Sequence, residues 1–215
     1  VWVKEQFPTD HGYFSHSFWN TLDTLKTLSD FGEPTEQFKA KILLEIEKHD
    51  RGGCYDEVLG ATCAMLEIYH FYLGRSHEKT LRTEKWILQN FREKVLFERA
   101  SAIDVLARLN FSIGKEELSK FRNDVVDFFK SNDIFCRDNE FQLLRYCQTL
   151  FVCGFEDDAY NYALNFETTQ DKSDGKWVNI SHTAAIVELL IKIQAKTQTK
   201  SSVLDEMIFN GVEFL

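Results

Sequence analysis

The side chains of this chain that could do chemistry are aromatic rather than nucleophilic. The chain has 19 Phe, 7 Tyr and 4 Trp, or 14% of its residues. Aromatic rings line apolar pockets, and their faces attract cations. Bulky aromatic side chains can equally fill an interior and hold helices together. We take as candidate ligand-binding residues the aromatic side chains at predicted turns: Tyr13, Phe14, Trp19, Tyr55 and Trp177.

Common motifs for metal or nucleotide chemistry are absent from the sequence. It contains no HExxH, GxxxxGK or GxGxxG pattern, and no Cys and His pair spaced for nucleophilic catalysis. The five cysteines lie singly, without CxxC spacing, at Cys54, Cys63, Cys136, Cys147 and Cys153. We interpret them as small buried side chains in a reducing compartment, and we predict no metal site.

Charge and hydropathy narrow the classes of partner. Lys and Arg number 25 against 34 Asp and Glu, a formal net charge of -9, and no basic stripe is present, which argues against nucleic acid. No apolar run approaches the eighteen or so residues of a transmembrane helix, and the amino end lacks a signal-peptide pattern. We expect a cytoplasmic protein whose partner is an apolar small molecule or another protein.

Glycines divide the chain into repeats. Gly32, Gly74, Gly114 and Gly154 are 42, 40 and 40 residues apart, and each follows an apolar run and precedes a polar, mostly acidic stretch. Glycine commonly ends a helix, and acidic residues favour the first turn of the next one. Each of these glycines is therefore predicted to lie between two helices.

A second turn recurs about twenty residues before these glycines. The distance from Gly12 to Thr21 and from Gly53 to Thr62 is nine residues, and the distance from Gly175 to Thr183 is eight. Apolar residues between the turns have helical spacing, and strand patterns are scarce. The predicted outer helices are 35–48, 77–93, 116–130 and 157–169, and the predicted inner helices are 18–31, 59–73, 99–112, 140–153 and 182–195.

These helices predict an all-α fold of about five and a half helix hairpins, each of about 41 residues. The repeat units are 1–32, 33–74, 75–114, 115–154, 155–196 and a partial unit 197–215, within one domain 1–215. Because the last unit stops before its second turn, we expect the chain to be a piece of a larger protein.

The segment DGKWVNISHTAAIVELLIKI, preceded by ALNFETTQ, resembles the repeat of the prenyltransferase and squalene-cyclase superfamily. In that repeat an outer helix ends in a glutamine-containing stretch, and a Gly-aromatic turn leads into an inner helix. The turns at Gly53 and Gly12 match it more loosely. The resemblance implies an α/α toroid, in which inner helices line a central cavity and function lies at its mouth. A fused or neighbouring domain would complete the ring.

Three kinds of site follow from the resemblance. Class II terpene cyclases use an acidic DxDD motif as their proton donor. The matching positions here, Arg99 to Ala102, contain no acid, and the nearest candidate catalytic acid is Asp104. The alternative role for Asp104 is that of a solvated or ion-paired residue. Protein prenyltransferases hold zinc with Asp, Cys and His. His182 matches that histidine and is a candidate ligand-binding residue, whereas Gly52 stands where the zinc aspartate would be.

The acidic pair Asp157 and Asp158 resembles the magnesium box of class I terpene synthases, which needs a second motif facing it. The stretch from Asn123 to Asp127 departs from that second motif, and helix capping is the alternative role for the pair. The cofactor stays open, although a diphosphate substrate would bring Mg²⁺.

Two functions remain from the sequence. In the first, the chain is a terpene-cyclase-like domain that binds an isoprenoid or similar apolar ligand in an aromatic cavity. If it is an enzyme, the resemblance implies a lyase or isomerase acting on a polyprenyl substrate. In the second, the chain is a non-catalytic α/α repeat module for protein–protein interaction. The first predicts an apolar cavity lined by inner helices, and the second predicts a filled centre and an exposed patch on the outer helices.

Overall fold

The fold is described from a computed structural model and covers residues 18–131, 140–197 and 201–215. Within these residues the regular structure is entirely helical, apart from one isolated bridge between Asp50 and Tyr55. The all-α prediction is therefore confirmed. In the same residues no helix is both long and apolar enough to cross a membrane.

The chain divides into two compact units, the first ending at Phe111 and the second beginning at Ser112. The helices of the first unit are α1 (Phe18–Asp30), α2 (Glu36–His49), α3 (Leu59–Leu73), α4 (Glu78–Asn90) and α5 (Leu96–Arg108). Helix α3 packs against the other four. It buries residues on every side, as a helix surrounded by others must. The outer helix α2 instead buries one stripe, made of Phe38, Ile42 and Ile46.

The second unit has six helices among the described residues. They are α6 (Lys115–Ser131), α7 (Glu140–Val152), α8 (Glu156–Ala163), α9 (Phe166–Thr169), α10 (Ile180–Thr197) and α11 (Ser202–Phe214). Helix α7 packs against α8 and α10, and α10 also packs against α8 and α11. The core of this unit includes Phe121, Tyr146, Phe166 and Trp177, each almost fully buried.

Most helix positions predicted from periodicity agree with the structure to within a few residues. The inner helix predicted at 59–73 has those bounds, and the outer helix predicted at 35–48 runs from 36 to 49. The prediction of a single outer helix at 157–169 is wrong, because the structure has two helices there, α8 and α9. The break falls at Leu164 and Asn165, where the Asn165 side chain donates a hydrogen bond to the carbonyl of Tyr162 (2.9 Å).

Glycine ends three of the four helices for which it was predicted. Gly32, Gly74 and Gly154 follow α1, α3 and α7 with φ of 70°, 85° and 83°, in the left-handed region that glycine tolerates. Gly114 lies between α5 and α6 as predicted, but it does not end α5. Helix α5 ends earlier, and Asn110 takes the left-handed conformation with φ of 59°. Asparagine is the usual substitute for glycine at this position, so the glycine spacing was misleading here.

Candidate functional site

The turn that precedes an inner helix has the same hydrogen bonds in both units. The N–H of Tyr55 donates to Thr62 Oγ1 at 3.0 Å, and the N–H of Trp177 donates to Thr183 Oγ1 at 3.0 Å. Each threonine hydroxyl in turn donates to a carbonyl one helical turn earlier, that of Val58 (2.8 Å) or Asn179 (2.9 Å). The aromatic residue of each turn is thus fixed to the first turn of the following helix.

The glycine of each turn touches the backbone of the next outer helix. A Cβ atom on Gly53 would lie 2.9 Å from the carbonyl oxygen of Arg82 in α4, and one on Gly175 would lie 2.2 Å from that of Asn210 in α11. Both glycines also have positive φ. A side chain at either place would therefore push the turn and the outer helix apart.

The residue that ends the preceding helix joins each turn to the next outer helix. Asp50 accepts hydrogen bonds from the Gly53 N–H (2.8 Å), the Tyr69 hydroxyl (3.1 Å) and Arg82 Nη2 (2.6 Å). Burial, and then the charge of Asp50, raise the pKa of Tyr69 well above its usual value, so its hydroxyl keeps its proton. In the second unit the residue at the corresponding position, the end of the helix before the turn, is Gln170.

The Gln170 side chain donates hydrogen bonds to two carbonyl groups in different parts of the second unit. Its Nε2 atom lies 2.8 Å from the Gly175 oxygen and 3.1 Å from the Met207 oxygen. The first acceptor belongs to the turn and the second to α11. The glutamine in the segment that carries the resemblance therefore holds the turn against the outer helix that follows.

The turn aromatics predicted to bind ligand are engaged in these contacts. Trp177 has no exposed surface, its indole N–H donates to the Phe166 carbonyl (2.9 Å), and its ring meets the Phe166 ring edge to face. A ligand could reach Trp177 only if the turn opened. Tyr55 is half-buried and stacks on His49 with 4.8 Å between ring centroids. Tyr13, Phe14 and the side chain of Trp19 lie outside the described residues.

Asp104, the candidate catalytic acid, is buried and bound to an arginine. Its Oδ2 accepts a hydrogen bond from Arg108 Nε at 2.9 Å, while Arg108 Nη1 and Nη2 each donate to Glu67 at 3.1 Å. Burial alone would lower the pKa of Arg108, but the charges of Asp104 and Glu67 outweigh it and raise that pKa. An acid that protonates an alkene must present a free proton to its substrate, whereas Asp104 Oδ2 acts as an acceptor. The contact with Arg108 agrees with the alternative role of Asp104, that of an ion-paired residue.

His182, the other predicted polar residue, lines a cavity of about 200 Å³ in the second unit. The cavity lies between α7 and α10, both predicted as inner helices. Its walls are Phe141, Leu144, Arg145, Gln148, Ser181, His182 and Ala185. The ring of Phe141 meets the imidazole of His182 edge to face at 5.5 Å. The cavity therefore combines an apolar wall with cationic and neutral polar groups.

The imidazole ring of His182 has a buried nitrogen. His182 Nδ1 is buried and has no hydrogen bond to any described residue. The backbone N–H of His182 is satisfied, because it donates to Asn179 Oδ1 at 3.0 Å. A buried polar atom without a partner costs free energy unless a ligand or water supplies one. This nitrogen therefore favours a hydrogen-bonding partner, and the residue that carries it lines the cavity.

Sequence reasoning missed the residues of α7 that face His182. Phe141, Arg145 and Gln148 follow one another at i, i+4 and i+7, the spacing of one helix face. That stripe mixes an aromatic, a cationic and an amide side chain, which is unusual for a core-facing stripe. The pattern was visible in the sequence, but its pairing with His182 required the contact between two separate helices.

The residues considered for metal binding have other contacts. Asp158 pairs with Arg122, and Asp157 lies in the first turn of α8, but the N-cap of this helix is Phe155 and no side chain makes a cap hydrogen bond there. Cys54 is buried, and its Sγ donates to the Arg51 carbonyl at 3.3 Å. No group of three or more His, Cys, Asp or Glu side chains in the described ranges is placed to hold a metal ion. The residues present do not fit the Mg²⁺ box of the resemblance.

Comparisons of the chain with known proteins gave no relative. No protein-family model, no curated protein and no solved structure matches it.

Proposed function

We propose that this chain is an α/α-repeat binding domain whose site is the cavity between α7 and α10. Its ligand is an isoprenoid, or a similar apolar chain, that ends in a polar or acidic group. The observation that carries the proposal is His182, which has a buried Nδ1 without a partner among the described residues and lines a cavity together with Arg145 and Phe141. We infer the isoprenoid part of the ligand from the resemblance, and we infer its polar or acidic end from the side chains that line the cavity.

The chemistry of the cavity supports a ligand with two different ends. Phe141 and Leu144 offer an apolar wall, and Phe141 is 48% exposed, so part of that wall is open to solvent. Arg145 brings a guanidinium, which suits carboxylate and phosphate oxygens. His182 and Gln148 add further hydrogen-bonding groups. An amphiphile would place its acidic end against Arg145 and its chain against Phe141.

The volume limits how much of the ligand is enclosed. A cavity of about 150 Å³ can hold a benzene molecule, and the cavity beside His182 is about 200 Å³. It would enclose the end of an isoprenoid rather than a whole polyprenyl chain. The rest of the chain would lie outside the cavity, beside the half-exposed ring of Phe141.

The repeated turn supports the architecture in this proposal. Two turns that are far apart in sequence share a glycine against the next outer helix and an aromatic N–H bound to a threonine. This is what a chain of repeated helix hairpins requires, because each turn must fix one hairpin against the next. The closing of the hairpins into an α/α toroid is the further step in the proposal.

The test is a melting series with defined ligands. Geranyl, farnesyl and geranylgeranyl diphosphates, the matching alcohols and inorganic diphosphate are added with and without Mg²⁺. Because only a ligand that prefers the native state raises the melting temperature, we expect the diphosphates to stabilise most and inorganic diphosphate alone to stabilise little. The absence of any shift across the series would contradict the proposal.

A matched pair of variants locates the binding. Phe141→Ala removes part of the cavity wall, whereas Phe209→Ala removes a side chain that is 64% exposed on α11, outside the cavity. We expect the first to reduce the ligand-induced shift and the second to leave it unchanged. Equal shifts in both variants would place the ligand elsewhere on the molecule.

A second candidate function is favoured by a different surface. Phe209 and Val212 lie three residues apart on α11, Leu215 follows three residues later just after the helix ends, and each is more than half exposed. Such an exposed apolar stripe suits protein–protein interaction. Its test is photo-cross-linking in cells from position 209. A specific adduct that disappears in Val212→Glu would support the interaction module, and unchanged adducts would count against it.

A further inference from the structure

We propose a second ligand site in the first unit, in the groove between α1, α3 and α5. Its ligand is a small neutral molecule with an apolar body and one hydrogen-bond acceptor, such as a ketone or alcohol oxygen. The groove has a volume of about 160 Å³. This proposal does not depend on the function proposed above, because all of its residues belong to the first unit.

Most of the residues that line the groove are apolar. Leu22 and Leu25 from α1 and Ile68 from α3 are buried, and Phe71 is 40% exposed at the rim. The volume is close to that of the roughly 150 Å³ cavity that can hold benzene. A six-membered hydrocarbon ring is therefore a ligand body of suitable size, and its burial against these side chains would favour binding.

One polar group gives the groove its specificity. A guanidinium has five N–H donors, and Arg108 uses three of them, one on Asp104 and two on Glu67. Two N–H donors remain without an acceptor in the part of the chain that the structure describes. The Arg108 side chain is 35% exposed and lines the groove. A ligand oxygen in the groove can accept one of these hydrogen bonds.

The charges around Arg108 select a neutral acceptor. Glu67 and Asp104 are 7% and 5% exposed, and both already face the guanidinium. A third anion would be repelled by these two carboxylates. An ammonium group has no lone pair to accept from Arg108. Glu67 and His70 also line the groove, and Arg108 is a polar group there that still has N–H donors to offer an acceptor.

Five probes built on the same six-membered ring test whether the groove prefers a neutral hydrogen-bond acceptor. Cyclohexanone, cyclohexanol, methylcyclohexane, cyclohexanecarboxylate and cyclohexylammonium are titrated into the full chain, and binding is followed by NMR shifts of the protein methyl groups. We expect cyclohexanone and cyclohexanol to bind about fivefold more tightly than methylcyclohexane, the factor expected for one added hydrogen bond. The carboxylate and the ammonium should bind more weakly than the ketone.

Variants connect the binding to this groove. Phe71→Ala opens its rim, and Arg108→Lys keeps the positive charge but removes the fork of donors. Phe31→Ala is the control, since Phe31 is 81% exposed and does not line the groove. We expect Phe71→Ala to weaken all binding, Arg108→Lys to abolish the preference for the ketone, and Phe31→Ala to change nothing.

Several results would overturn the proposal. They are the absence of binding by any probe up to its solubility, a carboxylate that binds as tightly as the ketone, and a Phe71→Ala variant with unchanged affinity. Circular dichroism melting checks that each variant folds. If Arg108→Lys does not fold, the order of the five probes and the Phe71→Ala variant still decide the outcome.

Discussion

The close approach of Gly175 to α11 gives a prediction with a calculable size. In Gly175→Ala the new Cβ would lie 2.2 Å from the Asn210 oxygen. An ordinary contact needs about 3.4 Å, so the turn or the helix must move by about 1 Å, and overpacking of this kind costs about 1–3 kcal/mol. The positive φ of 75° adds about 1–2 kcal/mol for any residue with a Cβ. The expected loss is therefore about 2–5 kcal/mol.

Gly154 supplies the matched control. It lies in the same unit and has a similar φ of 83°, but a Cβ there would have no atom within 4 Å. Gly154→Ala should cost only the conformational part, about 1–2 kcal/mol. In a chain of this length 1 kcal/mol corresponds to about 2–4 °C in melting temperature. We expect Gly175→Ala to melt below Gly154→Ala by roughly 2–12 °C.

The assay is urea unfolding of both variants beside the parent chain, followed by circular dichroism and supported by thermal melts. The decisive quantity is the difference between the two variants, since both lose the same freedom of a left-handed glycine. Equal losses would refute the argument, because the contact between the turn and α11 would then contribute nothing to stability.

Two further predictions concern buried polar groups in the second unit. Thr183→Val leaves the buried Trp177 N–H without its acceptor, so we expect a loss of about 1–3 kcal/mol in urea unfolding, and Thr183→Ser should keep most of the stability. Burial raises the pKa of Tyr146 to about 12. Between pH 10 and 12 the unfolded chain therefore loses this proton while the folded chain keeps it, and stability falls as pH rises. Tyr146→Phe should reduce that slope in unfolding measurements from pH 9 to 11.5, and an unchanged slope would contradict the assignment.

Helix positions could be predicted from the sequence because the apolar spacing and the turn residues agree with each other. Helix α3 is the best example, since an apolar run is closed by Gly74 at one end and preceded by the Gly53 turn at the other. The end of α5 was predicted wrongly because the sequence offers both Asn110 and Gly114 as stop signals. The asparagine occurs first along the chain, and its left-handed conformation ends the helix.

The candidate site was harder to predict than the helices. His182 was identified through the resemblance, but the residues that accompany it come from α7, about forty residues earlier. That contact depends on tertiary packing, which spacing along the chain does not give. Trp177 illustrates the same limit. Its place in a Gly-aromatic turn was visible in the sequence, whereas the direction of its side chain, into the core against Phe166, was not.

The most direct measurement for the proposed function is the NMR signal of the His182 ring during a titration with farnesyl diphosphate. Isotope-labelled histidine reports the imidazole nitrogens, and His182→Gln assigns the resonance. We expect a saturable change at Nδ1 of His182, with little change at His49, which lies in the first unit beside Asp56. Saturable binding that leaves the His182 resonance unmoved would contradict the proposed function.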